Sequence, residues 1–374
     1  MVGAMRPDQQ GYLLWPSEEA PQFAFRPSAV GPALWLRETF EPRGRGGRFA
    51  RPHVWQALRS RALVFGDASD VWRVAAERAL GRPLDDPEVA IASTSGCLNK
   101  ITLFVFEGEA PQPIAVAKVM SDPSRRDWLA REYRLLEEVR ALVAGDPELV
   151  ATLPEPPLFA GNVGAEYVAI EAFDDVAEGI GQLPRPATLS LLDRLQRVTT
   201  QRHRRWTAED VASTLAAMER NVERLGRCPE APALFERTRV ALEGAVGTTL
   251  PDTVVHGDYW PGNIARCGDR VRLFDWEWGE SAGNPAFDRW TYELADVRSR
   301  AASGTAGIAE VLDAAMADVT DSLGDLAVDP HLARGMLAPS ALRLVTRIRL
   351  EASRENGWES AAPGMLAAIE EVLS

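Results

Sequence analysis

The chain has 374 residues, of which 46% are hydrophobic and 25% charged, and its formal net charge is −13. This is a globular composition, long enough for two or three structural units, and its acidic excess argues against a broad nucleic-acid-binding face. No apolar run reaches the roughly 18 residues of a membrane span, no basic-then-apolar leader opens the chain, and Cys97, Cys228 and Cys267 have no metal-ligand spacing, so a cytoplasmic protein without membrane or nucleic-acid partners is expected.

Residues 1–85 contain no motif that carries chemistry. Tyr12 to Pro16 and Ala33 to Leu36 read as short apolar strands, and Val54 to Leu63 and Val71 to Leu80 as helices. An accessory domain, a cover on the unit that follows and a contact in a homodimer are the open readings. Ala92 to Lys100 is a small-residue turn with Ser95 and Gly96 at its centre, followed by a strand from Ile101 to Phe106. Ile114 to Val119 is a second apolar strand, and Lys118 lies near its end. The chain has only two lysines, Lys100 and Lys118, against 39 arginines, so composition alone would seldom place a lysine there.

Trp128 to Leu136 has helical periodicity, with Trp128, Leu129, Leu135, Leu136 and Val139 on one broad face. Glu132 stands on this helix, 14 residues after Lys118; Glu137 and Glu138 read as solvated. The prolines of 153–157 mark a connection, and Glu166 to Phe173 reads as a strand running into a loop. Leu189 to Thr200, Ala208 to Leu225 and Ala231 to Ala245 read as amphipathic helices. The basic run Gln201 to Trp206 suits an anionic-substrate site or, more readily, a solvated helix end or linker. Asp288 to Ser299, Gly307 to Leu323, His331 to Glu351 and Ala361 to Leu373 complete the helices.

Between these helix groups lies the stretch of greatest chemical content, residues 254–280. Val254-Val255 ends a buried strand and leads into His256-Gly257-Asp258. Asn263 follows Asp258 after four intervening residues, and Asp275 closes an apolar run 12 residues later. Ile264 to Arg266 and Val271 to Phe274 read as a hairpin turning at Gly268-Asp269, which would fold Asp275 back beside Asn263. Moving the terminal phosphoryl of ATP to a hydroxyl requires an aligned acceptor, neutralised phosphate charge and a place for the departing proton. Asp258 suits the last role. The amide carbonyl of Asn263 and the carboxylate of Asp275 are hard oxygen ligands suited to Mg2+. His256 reads as structural, its ring packed under the loop.

His256-Gly-Asp258-x4-Asn263, Asp275-Trp-Glu277 and Gly283-Asn-Pro285-x2-Asp288 resemble the motifs of the aminoglycoside phosphotransferase and choline kinase family. The resemblance spans roughly residues 90–290. It implies a bilobal α+β, protein-kinase-like fold, with a small antiparallel-sheet upper lobe, a mostly helical lower lobe and an N-terminal extension. The boundaries expected on this layout are 1–85, 86–172 and 173–374.

The resemblance also implies a role for each site residue. Asp258 is the catalytic base, Asn263 and Asp275 hold Mg2+, and Asp288 buttresses the loop. Lys118 contacts the ATP phosphates on a strand similar to V-A-I-K, with Glu132 as its partner. Ser95 and Gly96 cover the phosphates, although the family's loop is richer in glycine and Leu98 stands where it often has Ser. The backbones of Glu171 and Phe173 meet the adenine edge. The acceptor is then a hydroxyl of a sugar, aminosugar, amino alcohol or related metabolite. A non-catalytic kinase-like nucleotide-binding module is the alternative, and a hydrolase using Asp258 and Asp275 as a carboxylate pair is a third reading.

Overall fold

The computed structural model describes residues 13–15, 23–25, 29–39, 71–92, 100–120, 126–173, 181, 183–225, 231–267, 269–302, 308–351 and 358–373. The helix expected over Val54 to Leu63, the turn residues Ser95 and Gly96, and Gly268 lie outside them. The chain divides into a sheet unit, Met1–Arg134 with Glu155–Glu178 and Glu351–Ser353, and a helical unit, Leu135–Pro154 with Gly179–Leu350 and Arg354–Ser374.

In the sheet unit, seven strands pair antiparallel. They are β1 (Leu13–Trp15), β2 (Phe23–Phe25), β3 (Pro87–Ala92), β4 (Lys100–Glu107), β5 (Ala115–Met120), β6 (Phe159–Val163) and β7 (Glu166–Ala172), in the order β1-β2-β3-β4-β5-β7-β6. The period of two along β4 sends Ile101, Leu103 and Val105 to a buried face, and β5 does the same with Ala115, Ala117 and Val119. Val71, Ala75 and Ala76 of α2 (Val71–Leu80) join these residues in one apolar cluster. The alternation leaves Lys118 on the opposite face of β5. Part of the first 85 residues thus belongs to this sheet: β2 pairs with β3, and α2 packs on its core face.

Ala33 to Leu36, expected as a strand, lies within the helix α1 (Val30–Thr39). Four consecutive apolar residues do not distinguish strand from helix, and Pro32 sits in the first turn, where a missing N–H costs nothing.

The helical unit takes the second half of α3 (Arg126–Leu142), then α4 (Pro147–Thr152), α5 (Arg185–Val198), α6 (Ala208–Leu225) and α7 (Ala231–Gly244). After the loop segment come α8 (Ala286–Ala302), α9 (Ile308–Gly324), α10 (Pro330–Gly335), α11 (Leu337–Glu351) and α12 (Trp358–Val372). A capping box starts α6: Thr207 N donates to Asp210 Oδ2 (2.8 Å) and Asp210 N to Thr207 Oγ1 (3.2 Å). The core gathers Leu234, Leu242, Trp290, Val319, Leu332, Ala341 and Ile369, and the buried Trp290 indole donates to the Ala333 carbonyl at 2.8 Å. No helix among the described residues is long and apolar enough to cross a membrane.

Three expectations need correction here. The helix expected over His331 to Glu351 is broken at Met336, because Pro339 has no N–H to give the Gly335 carbonyl. Trp128 does not share the buried face of α3; it is exposed, whereas Leu129, Leu135, Leu136 and Val139 are buried. The basic run is neither helix end nor linker but strand β8 (Arg202–Arg205), paired with β9 (Thr249–Val255). Buried Asp252 draws Arg202 and Arg204 onto one face of that pair, with Nε–carboxylate distances of 2.7 and 2.9 Å.

Candidate active site

One closed path of chain carries the three polar residues of the 254–280 segment. Buried β9 delivers the chain to His256-Gly257-Asp258. A short 3-10 turn, Pro261–Asn263, leads into the antiparallel hairpin β10 (Ile264–Cys267) and β11 (Arg270–Leu273). A second 3-10 turn, Trp276–Trp278, leads to β12 (Glu280–Gly283), which returns beside β9 with Glu280 opposite Val255 and Gly283 opposite Thr253. The expected hairpin is therefore present, with Ile264 opposite Leu273. Phe274 N donates to Asn263 O at 2.8 Å, so Asp275 follows immediately after a residue bonded to Asn263. Arg272, on the buried face of β11, anchors the hairpin by donating to the carbonyls of Ala151 (3.0 Å) and Leu153 (2.7 Å) at the end of α4.

The loop is held from below by side chains. The His256 ring is fully buried and packs 4.6 Å from the Trp276 ring. Its Nδ1 accepts from Asp258 N at 3.2 Å, which leaves the proton on Nε2 to donate to Phe274 O at 2.7 Å. This is the structural role expected of it. Asp288, fully buried in the first turn of α8, accepts from His256 N (2.6 Å) and Gly257 N (2.8 Å). Asn284 sets that turn, its Oδ1 accepting from Ala286 N at 3.0 Å. Burial pushes the Asp288 carboxyl up to about 7, although both backbone N–H groups and the Arg343 charge favour its ionised form.

Gly257 has φ +77, and an added Cβ would lie 2.1 Å from the Trp278 carbonyl oxygen. Both the left-handed backbone and the close approach call for glycine. Gly257→Ala is expected to cost about 2 kcal/mol or more in stability and to abolish most turnover; a wild-type denaturation midpoint in the variant would refute this.

Asn263 Nδ2 donates to Asp258 Oδ2 at 2.8 Å and to Asp258 O at 3.0 Å. The amide thus fixes the carboxylate's rotamer and leaves its own carbonyl oxygen as the remaining polar atom. Asp275 is left-handed, with φ 56 and ψ 64, a conformation that Asp tolerates better than most residues. It aims the chain out of β11 into the 3-10 turn.

The sheet unit holds a second polar group. Lys118 Nζ lies 3.1 Å from Glu132 Oε1 and 3.0 Å from Glu171 Oε1, and the Tyr133 hydroxyl donates to Glu171 Oε1 at 2.7 Å. The Lys118–Glu132 ion pair thus joins the expected partners, and Glu137 and Glu138 are exposed. Burial pushes the Tyr133 phenol well above its usual value, so it remains a donor.

Glu171 departs from expectation. Opposite residues on antiparallel strands share a face; Lys118 pairs with Ala169, so Glu171, two residues on, faces the same way. Ile170 bonds toward β6 through Leu158 N (2.7 Å). Alternation then turns the Glu171 backbone toward Val116 of β5. What Glu171 presents on the Lys118 face is its carboxylate. Phe173, just past the strand, packs its ring edge-on against Phe104 with centroids 6.2 Å apart. The contacts of Tyr133 and of the Glu171 side chain were missed from sequence; the signal lay in strand parity, which needs the register.

The phosphotransferase enzyme family model matches residues 105–297, more than half of the chain. The chain belongs to this family. No curated protein matches its sequence. Among solved structures, it is similar to a thermostable mutant of aminoglycoside phosphotransferase APH(4)-Ia in its apo form, with 12% identity over 80% of this chain and 98% of that one and a TM-score of 0.49. A glucosamine kinase gives 16%, 78%, 92% and 0.40. The macrolide 2'-phosphotransferase MphH from Brachybacterium faecium, as apoenzyme, gives 18%, 80%, 98% and 0.44.

With family membership, phosphoryl transfer, the reaction class implied by the resemblance, stands, and the mixed antiparallel-sheet and helical architecture is that of the expected α+β class. The matched segment includes β5, β7, the Asp258 loop, the hairpin and the start of α8. Its donor chemistry fits a small hard cation: one amide oxygen, from Asn263, and one carboxylate, from Asp275. Mg2+ is commonly held by one or two protein oxygens, with phosphate and water completing its shell.

Proposed function

We propose that this chain is an ATP- and Mg2+-dependent phosphotransferase whose acceptor is a hydroxyl of a small molecule: a sugar, aminosugar, amino alcohol or related metabolite. The observation that carries this reading is the pairing of Asn263 with Asp258. The amide nitrogen donates to the Asp258 carboxylate at 2.8 Å, and in this reading the amide oxygen would go to the cation. A surface turn has no need of that division of labour.

In this reading Asp258 orients the acceptor hydroxyl and takes its proton as the oxygen attacks the γ-phosphorus, whose bond to the β,γ-bridging oxygen breaks to release ADP. Asn263 Oδ1 and the Asp275 carboxylate would hold Mg2+, which supplies charge neutralisation on the phosphate oxygens. Lys118 is assigned to the nucleotide phosphates, with Glu132 and Glu171 setting the direction of its ammonium. A compact ammonium does this as a point charge, which the forked guanidinium of Arg would not reproduce. Ser95 and Gly96 keep their assignment to phosphate covering, and Phe173 its assignment to the adenine edge. A cytoplasmic location and a homodimer contact through the N-terminal segment belong to the same reading, whereas the expected boundary at 85 gives way to a sheet unit that takes in β2 and α2.

Two measurements test this. Incubation with Mg-ATP and a panel of hydroxyl compounds should show phosphate transfer to a member of the panel. ADP should raise Tm further with Mg2+ than without it, and Asp275→Ala should remove the Mg2+-dependent part. Mg2+-dependent nucleotide stabilisation without any transfer would favour the non-catalytic nucleotide-binding module. No nucleotide response at all would end both readings.

A further inference from the structure

Helix α11 is largely a core element. Leu337, Ala338, Ala341, Leu342, Leu344 and Val345 are all buried. Arg343 stands among them, its side chain 29% exposed, and its guanidinium reaches three groups from other elements. Nη2 donates to the Trp278 carbonyl at 3.1 Å. Nη1 lies 3.5 Å from Glu280 Oε1. The guanidinium carbon sits 5.0 Å over the Phe287 ring, an attractive cation–π distance.

These contacts bracket the Asp258 loop. The Trp278 carbonyl is the atom that lies against Gly257, at the position where a Cβ would be 2.1 Å away. Trp278 also ends the turn that begins directly after Asp275. Phe287 immediately precedes Asp288, whose carboxylate holds His256 N and Gly257 N. One guanidinium therefore ties together the carbonyl seated on the loop and the helix turn that carries the loop's buttress.

We infer that Arg343 is a positioning residue for phosphoryl transfer. It fixes the Trp278 carbonyl against Gly257 and thereby sets where Asp258 stands relative to the Asp275 segment. This rests on the function proposed above. The planar fork suits the task because one end bonds the carbonyl while the other faces a carboxylate and the flat side lies on an aromatic ring. A lysine ammonium reproduces the charge but not this three-way contact. In-line transfer is sensitive to such placement, since shifts of about 1 Å can cost about a hundredfold in rate.

The test uses the full chain with Arg343→Met and Arg343→Lys. Mg-ATP hydrolysis, with water as acceptor, should show kcat lowered about tenfold to a hundredfold in Arg343→Met, with KM for ATP within about threefold of wild type. Arg343→Lys should recover part of that kcat. Hydrogen exchange should quicken across 256–263 and 276–280 in Arg343→Met, while α9 and α12 keep their protection. Wild-type kcat in Arg343→Met, or unchanged loop exchange, overturns the inference. So does equal loss of protection in α9 and α12, which would make Arg343 a staple of the helical core. A wild-type protein without turnover sinks the functional reading instead, and the exchange comparison still decides the role of Arg343.

Discussion

Asp258→Ala is expected to lower kcat by about 10²–10⁴-fold, the usual worth of a positioned general base, while ADP binding and Tm stay close to wild type. The Asp258 side chain is half-buried and not part of the apolar core, so its removal opens no sizeable cavity. It does free the Asn263 amide from its 2.8 Å partner, and that amide can bond water in the space left behind. Asp258→Asn is the sharper probe. It keeps the shape but presents a donor as well as an acceptor and cannot take a proton. Turnover should be lost in both variants, with KM for ATP little changed. Wild-type kcat in Asp258→Asn would remove Asp258 from the base role.

The largest effect on stability is expected at Asp288. Asp288→Ala removes the carboxylate oxygens that accept from His256 N and Gly257 N in a fully buried site. Each unsatisfied buried N–H costs about 1–3 kcal/mol, so a loss of about 2–6 kcal/mol is expected in denaturant unfolding. That is a large share of the stability of an ordinary domain. Asp288→Asn should fall between, because an amide offers one acceptor oxygen and sets an N–H against the second donor. A midpoint shift under about 0.5 kcal/mol in Asp288→Ala, the range of unremarkable surface changes, would contradict the buttress.

Asp288 also gives a pH dependence with a definite sign. Its carboxyl is raised from 3.8 to about 7, first by burial, with the Asp258 charge adding to the rise; His256 N, Gly257 N and the Arg343 charge oppose it. Between those values the folded protein binds a proton that the unfolded chain has released. The contribution of this group to stability therefore declines as pH rises from about 4 to about 7. Activity runs the other way. Only the ionised carboxylate offers both oxygens cleanly to the two N–H groups, so kcat/KM should fall as pH drops below about 7. A flat profile between pH 5 and 8 would contradict this.

Much of the candidate site was legible because its residues lie close together in sequence. Asp258, Asn263 and Asp275 fall within one stretch whose hairpin is set by local pattern, two short apolar runs separated by turn residues. Asp288 follows as part of a local Gly-Asn-Pro start to a helix. Glu132 was legible for a different reason: a helix with clear periodicity follows the Lys118 strand, and the remaining acids of that helix fall on its wet face. Arg343 was not legible. It lies far along the chain, in a helix that reads as amphipathic, and 39 arginines give no reason to single out one of them. The strand β8 was missed because four consecutive polar residues show no period of two; the partner that Arg202 and Arg204 share, buried Asp252, lies on the neighbouring strand some 50 residues away.

The amino-acid order by itself pointed to the chemistry proposed for this chain, because polar residues at short fixed spacings are constrained by the few turns that can connect them. It also determined most of the helices, through hydrophobic periods that local geometry imposes. Only the tertiary structure decided which face of β7 meets Lys118, which carbonyl rests on Gly257 and which distant arginine holds that carbonyl. Those choices depend on strand register and helix packing. They are set by burial summed over many residues, and no short window of sequence contains that sum.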